Sequence, residues 1–233
     1  MPILPESLCR FLRGNTPAAI ILLGALTLLA PPAQAGSQEE AFAAARRGNA
    51  GMLSKLLEGG KVSPNTVDKE GNSLLILTVR DGYTEAASAV LRFRPQLDHH
   101  NRNGDSALMM AASKGDMKLL NLLLTNGAKT NPLGDKNAWT ALHYAALEGK
   151  LPALERLLAA GADINALTPN LSDALMLAAR NGHTDIVQRL LKTPIDLTRR
   201  NDRGVTAEEW ARSKDNTKIA KLIADARTTR ARR

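Results

Sequence analysis

The side chains here that could ligate a metal or move a proton are four histidines, one cysteine and 23 carboxylates in 233 residues. Cys9 stands alone, which excludes a disulfide framework and a cysteine-based zinc site. Asp98-His99-His100 is the one local cluster of metal-ligand types. Neighbouring residues of an extended segment point to opposite sides, so these three do not converge on an ion without further ligands. His143 and His183 each fall at a fixed place in a recurring pattern. A hydrogen-bonding structural role outweighs catalysis there, because catalysis needs a positioned partner. The chain carries no H-E-x-x-H, no G-x-S-x-G, no Walker A loop and no G-x-G-x-x-G. The expectation is therefore no enzyme, no metal and no cofactor.

The recurring pattern is the informative feature. Ser73-Leu74-Leu75-Ile76, Ser106-Ala107-Leu108-Met109, Thr140-Ala141-Leu142-His143, Asp173-Ala174-Leu175-Met176 and Thr206-Ala207-Glu208-Glu209 begin 33, 34, 33 and 33 positions apart. Gly82, Gly115, Gly149, Gly182 and lastly Asp215 follow in the same phase, as do the pairs Val90-Leu91, Leu123-Leu124, Leu157-Leu158 and Leu190-Leu191. A fixed period of this size is the mark of a repeat architecture. Each copy reads as helix–turn–helix. The Ser, Thr or Asp can accept a free backbone N–H and cap a first helix. The glycine suits the left-handed residue that ends it. Pro152 falls where a second helix starts, and its missing N–H costs little there. Aromatics make up only 3% of the chain, so Leu and Ala must carry the core, which favours helices over sheets. The small pairs Ala111-Ala112, Ala145-Ala146 and Ala178-Ala179 allow close helix contact. One unit cannot bury its Leu face alone, whereas stacked units share a core.

These residues resemble the ankyrin repeat. Thr140-Ala141-Leu142-His143-Tyr144-Ala145-Ala146 is similar to the family's T-P-L-H-x-A-A segment with Ala for Pro, and Gly182-His183-Thr184-Asp185-Ile186-Val187 and Gly161-Ala162-Asp163-Ile164-Asn165 match its other signatures. With Ala41 to Gly60 as a degenerate first unit, the resemblance implies an all-α solenoid of about six helix–turn–helix units with short hairpin loops over residues 36–226. Thr140, Leu142, His143, Gly149, Gly182 and His183 are its structural motif positions. In the last unit Glu208 takes the Leu position and Arg212 the second Ala position, a polar substitution suited to an end cap.

Because fold does not give function, the resemblance implies no more than partner binding, by hairpin tips and exposed first-helix positions. Those positions are Lys69, Glu70, Asn72, Arg80 and Asp81, then Arg102, Asn103, Asp105, Ser113 and Lys114, then Lys136, Asn137, Trp139, Leu147 and Glu148, then Asn170, Ser172, Arg180 and Asn181. Trp139 stands before a cap, at a position that normally faces solvent, and with Leu147 it would anchor a partner. The other reading is that its ring lies on an adjacent hairpin or helix.

Residues 1–35 have a different character. Arg10 and Arg13 precede an apolar run, Ala18 to Ala30, and Pro31-Pro32-Ala33-Gln34-Ala35 follows it. That layout is a secretory signal peptide cleaved after Ala35. Its Ala/Leu-rich make-up is of the bacterial kind, which predicts the periplasm in a cell with two membranes; a secreted eukaryotic protein is the other reading. Charge is also uneven. Residues 36–198 carry 18 basic and 17 acidic side chains, and residues 199–233 carry 11 and 5. The last seven, 227–233, read as a basic, disordered tail. The expected function is an exported module that binds another protein of the cell envelope, as an accessory or as a protective or inhibitory partner. The alternative is an electrostatic binder of anionic polymer or membrane through the arginine-rich end.

Overall fold

The structure, a computed structural model, describes residues 32–131 and 138–232. It divides into Met1–Gly36 and Ser37–Arg233. The expected signal peptide falls on the first unit, and all but its final residues lie outside those described.

The helices come in pairs over Ser37–Arg233, the first of them starting just before Ser37. α1 (Pro32–Arg46) is followed by α2 (Ala50–Glu58), α3 (Leu74–Arg80) by α4 (Thr84–Leu91), and α5 (Ala107–Lys114) by α6 (Met117–Thr125). α7 (Ala141–Leu147) precedes α8 (Leu151–Ala159), α9 (Ala174–Asn181) precedes α10 (Thr184–Leu191), and α11 (Ala207–Ser213) precedes α12 (Thr217–Ala231). Six pairs are the six expected units. The first is less degenerate than its sequence, since α1 begins well before Ala41.

The cap residues explain why the first helices start where they do. The side chains of Ser73, Ser106, Thr140, Asp173 and Thr206 accept the backbone N–H of Ile76, Met109, His143, Met176 and Glu209 respectively. Each such bond contributes about 1 kcal/mol. The turn that follows needs a left-handed residue. Gly149 has φ +69°, and a Cβ there would lie 2.6 Å from Nδ1 of His183, so conformation and space both exclude a side chain.

From the second unit on, first helices pack on first helices and second on second, in chain order. The three Ala pairs are fully buried, as close approach requires. Leu142, Leu175, Leu123, Leu157 and Leu190 lie in one continuous core. Burial of each contributes roughly 1.5–3 kcal/mol. Register between units is fixed by side chains that accept from the next loop. Asn65 Oδ1 takes the Gln96 N–H at 2.7 Å, Asp98 Oδ1 that of Lys129 at 2.8 Å, and Asn131 Oδ1 that of Asp163 at 2.8 Å. The tips are joined too: Arg102 N–H donates to the Glu70 carbonyl at 3.0 Å, and Asp202 N–H to that of Asn170 at 3.1 Å.

The disordered tail expected at residues 227–233 is replaced by helix as far as Ala231. The cause is arginine chemistry. Arg230 donates to the carbonyls of Ile195 (2.6 Å), Leu191 (2.8 Å) and Thr193 (2.8 Å), which satisfies acceptors left open at the end of α10. Arg227 lies 3.1 Å from Glu208, whose other oxygen accepts from Arg212 at 2.8 Å. Arg227 and Arg230 thus act as a structural clasp.

Candidate interaction surface

The best-formed polar feature is the motif unit itself. Thr140 N–H donates to His143 Nδ1 at 3.1 Å, while the Thr140 hydroxyl accepts the His143 N–H at 3.3 Å. Nδ1 is therefore an acceptor, and Nε2–H donates to the Ala166 carbonyl at 2.9 Å. Burial lowers the pKa of His143 to about 4, so the ring is neutral and serves to hold the next hairpin. His183 acts between units: its Nε2 and the Asn181 amide both reach the Leu147 carbonyl at 2.8 Å. In unit 6 Asn216 does the same to the carbonyls of Ala179 and Arg180, each at 3.0 Å. In the 98–100 cluster Asp98 is held by Lys129 N–H and His99 Nε2 by the Gly71 carbonyl at 2.8 Å. Among the described residues no three His, Cys, Asp or Glu side chains gather as a metal site would require.

The expected contact residues divide into five groups. Lys69, Arg102, Asn103, Glu148 and Arg180 are exposed. Arg80 and Lys114 are engaged: Arg80 pairs with Asp81 at 3.0 Å, and the Lys114 amine donates to the Arg80 carbonyl. Lys136 and Asn137 lie outside the described residues. Trp139 and Leu147 are half-buried. The Trp139 ring meets His143 edge-on (centroids 6.0 Å apart, 83°) and lies tilted against Tyr144 at 5.4 Å. It therefore packs on the first helix of its own unit rather than standing free in solvent. Three positions expected to be variable and exposed are instead buried. Asn72 accepts from the Asn101 amide at 2.9 Å, Asp105 accepts the Tyr144 hydroxyl at 2.5 Å, and Ser172 is sealed into its hairpin. Each is held by its own or a neighbouring hairpin or helix, so none is available to a partner.

Two residues that the sequence reading passed over belong to this surface. Trp210, half-buried on α11, carries the Arg180 guanidinium 5.1 Å above its ring centroid. Its signal lay in the register: four residues after each cap stand Leu77, Met110, Tyr144, Leu177 and Trp210, all apolar or aromatic. Leu171 is the other. It is 36% exposed with φ +59°, where three other units place Gly71, Gly104 and Gly204.

A stack of helix pairs with caps, left-handed turns and bonded hairpin tips defines a helical repeat protein. A family model described as ankyrin repeats (3 copies) matches residues 41–132, 93–168 and 142–231, and the chain belongs to the ankyrin-repeat family. Among curated proteins it is similar to the nuclear factor NF-kappa-B p105 subunit of Mus musculus, 35% identical over 80 residues, which is 33% of this chain and 8% of that protein. The Gallus gallus p105 subunit is 30% identical over 95 residues, 40% of this chain and 10% of that protein. The chain thus spans a tenth or less of the length of these relatives in the matched stretch. Repeats of this family imply protein–protein interaction.

Proposed function

We propose that this protein is an exported interaction module that binds another protein of the cell envelope, as an accessory or as a protective or inhibitory partner. The observation that carries the binding reading is the division of labour in the repeats. Backbone ends, caps and inter-unit carbonyls are satisfied internally, while Trp139, Leu147, Arg180 and Trp210 keep open area on the first-helix side. Aromatic and Arg side chains of this kind dominate binding energy at interfaces. Export rests on the Arg10/Arg13 lead, the Ala18–Ala30 run and the small-residue stretch ending at Ala35, with the periplasm as the compartment. No helix among the described residues is long and apolar enough to cross a membrane. The electrostatic alternative loses ground because Arg227 and Arg230 already have partners inside the protein.

Cross-linking capture tests the reading, with full-length protein tagged and expressed in its native cells. A single envelope protein enriched by wild type and lost with Trp139→Ala/Leu147→Ser is the expected result. Enrichment that the double variant leaves untouched would place the binding face elsewhere. N-terminal sequencing of the same sample should begin at Gly36; an intact Met1 would refute export by cleavage.

A further inference from the structure

Arg180 differs from every other arginine on the first-helix side in how its charge is met. Unit 2 carries Arg80 in the same register and supplies its own counter-ion, Asp81, at 3.0 Å. Unit 5 has Asn181 where Asp81 would stand, and that amide is spent on the Leu147 carbonyl. Glu148, in the matching register of unit 4, makes no ion pair with Arg180, and no carboxylate among the described residues does. Instead the guanidinium lies over Trp210. A cation–π contact makes no use of the guanidinium N–H groups, which can still take a carboxylate through two parallel hydrogen bonds.

A second, independent irregularity lies at the other end of α9. Leu171 holds a conformation that side chains rarely adopt, at a place where three other units carry Gly71, Gly104 and Gly204, and it puts a large apolar group into solvent. From the start of α9 to Arg180 the helix rises about 9 Å, so Leu171 and Arg180 are separated by roughly 10–15 Å. An extended segment covers that in about four residues.

Building on the protein-binding reading above, we propose that units 4 to 6 receive an extended segment of the partner that presents an acidic side chain to Arg180, about four residues from a large apolar side chain seated at Leu171. Arg180 supplies the charge specificity, Trp210 fixes its orientation, and Leu171 sets the spacing.

The test is selection of a random dodecapeptide display library on the whole protein, followed by fluorescence anisotropy with the selected peptides. Selected peptides should share Asp or Glu three to five residues from Leu, Phe or Trp, and changing the acid to its amide should weaken binding at least tenfold. Arg180→Met should weaken it similarly. Asn181→Asp, which rebuilds the internal pair of unit 2, should compete for Arg180 and cost several-fold more than Asn181→Leu, which loses the same bond to the Leu147 carbonyl without adding a charge. Leu171→Gly should remove the apolar preference. Peptides that depend on Trp139 but not on Arg180 would overturn this inference and leave the protein-binding reading standing. Heparin displacing the peptides in proportion to its charge, with no apolar requirement, would overturn it in favour of a polyanion. A dimer in sedimentation that Arg180→Met dissolves would overturn it in favour of a second copy of the chain. No selected peptide, together with no partner captured in the envelope experiment, would remove both readings.

Discussion

Units 5 and 6 run the same backbone and fill it with opposite chemistry. Leu175, fully buried in α9, has Glu208 as its counterpart in α11, Ala179 has Arg212, and Gly182 has Asp215. Asp215 nonetheless takes φ +59° beside the +82° of Gly182, so register overrides residue type at the turn. Glu208 stays 7% exposed because Arg212 and Arg227 close over it. An inner unit must offer apolar surface to both neighbours, whereas an end unit has one free side from which long arginines can reach in. Buried carboxylates fare differently in the two units. Glu208 has two arginines within 3.1 Å, but Asp173 is 1% exposed with Arg199 3.8 Å away. Burial pushes the Asp173 carboxyl up to about 6, against the Met176 N–H and the Arg199 charge, which pull it down.

The largest test of this contrast is Leu175→Ala, which should cost about 2–5 kcal/mol in denaturant unfolding through transfer loss and cavity. A loss under half a kilocalorie would show that the inner unit does not depend on that apolar contact. Next comes Asp173→Asn. The unfolded carboxyl titrates near 3.8 and the folded one near 6, so the folded state holds more protons between these values. The contribution of Asp173 to stability is therefore most favourable at low pH, falls as pH rises from about 4 to 6, and carries the full penalty at pH 7. Asn keeps the cap and removes the penalty, so the variant should gain about 1–3 kcal/mol at pH 7 and nothing near pH 4. An equal effect at both pH values would mean the charge is not the cause. Arg227→Met should cost about 1 kcal/mol, a figure kept small because this arginine is half exposed, and the loss should shrink in 1 M salt. The smallest effect concerns the turn. Asp215→Gly should stabilise by about 0.5 kcal/mol, while Gly182→Ala should destabilise by about 1 kcal/mol. The same sign for both would break the equivalence of the two positions.

The repeat period made most of the fold legible. Ser106 and Thr206 read as caps because a hydroxyl before an apolar run satisfies a free N–H, and that chemistry is local. Gly149 and the Ala145-Ala146 pair were equally readable, since steric room depends on the residue and its register. The surface was less legible. Exposure at Asp105 depends on a hydroxyl 39 residues away, Tyr144, and that of Ser172 on how a hairpin folds over it. The C-terminal arginines misled for a related reason. Composition counts charges but does not say where open carbonyls lie, and Arg230 finds three of them on the preceding unit.

The sequence by itself determined the helix pairs, their caps, their turns and their stacking phase, because each follows from side chains within one unit and a spacing that repeats. Which charges are spent and which remain open was decided only by tertiary structure. Arg80 and Arg180 occupy one register: the ion pair of Arg80 with the adjacent Asp81 is legible in the chain, but the seat of Arg180, followed by Asn181, over the Trp210 ring is not. That seat is set by what the next unit brings across the interface, 30 residues further along the chain, and no local pattern contains it.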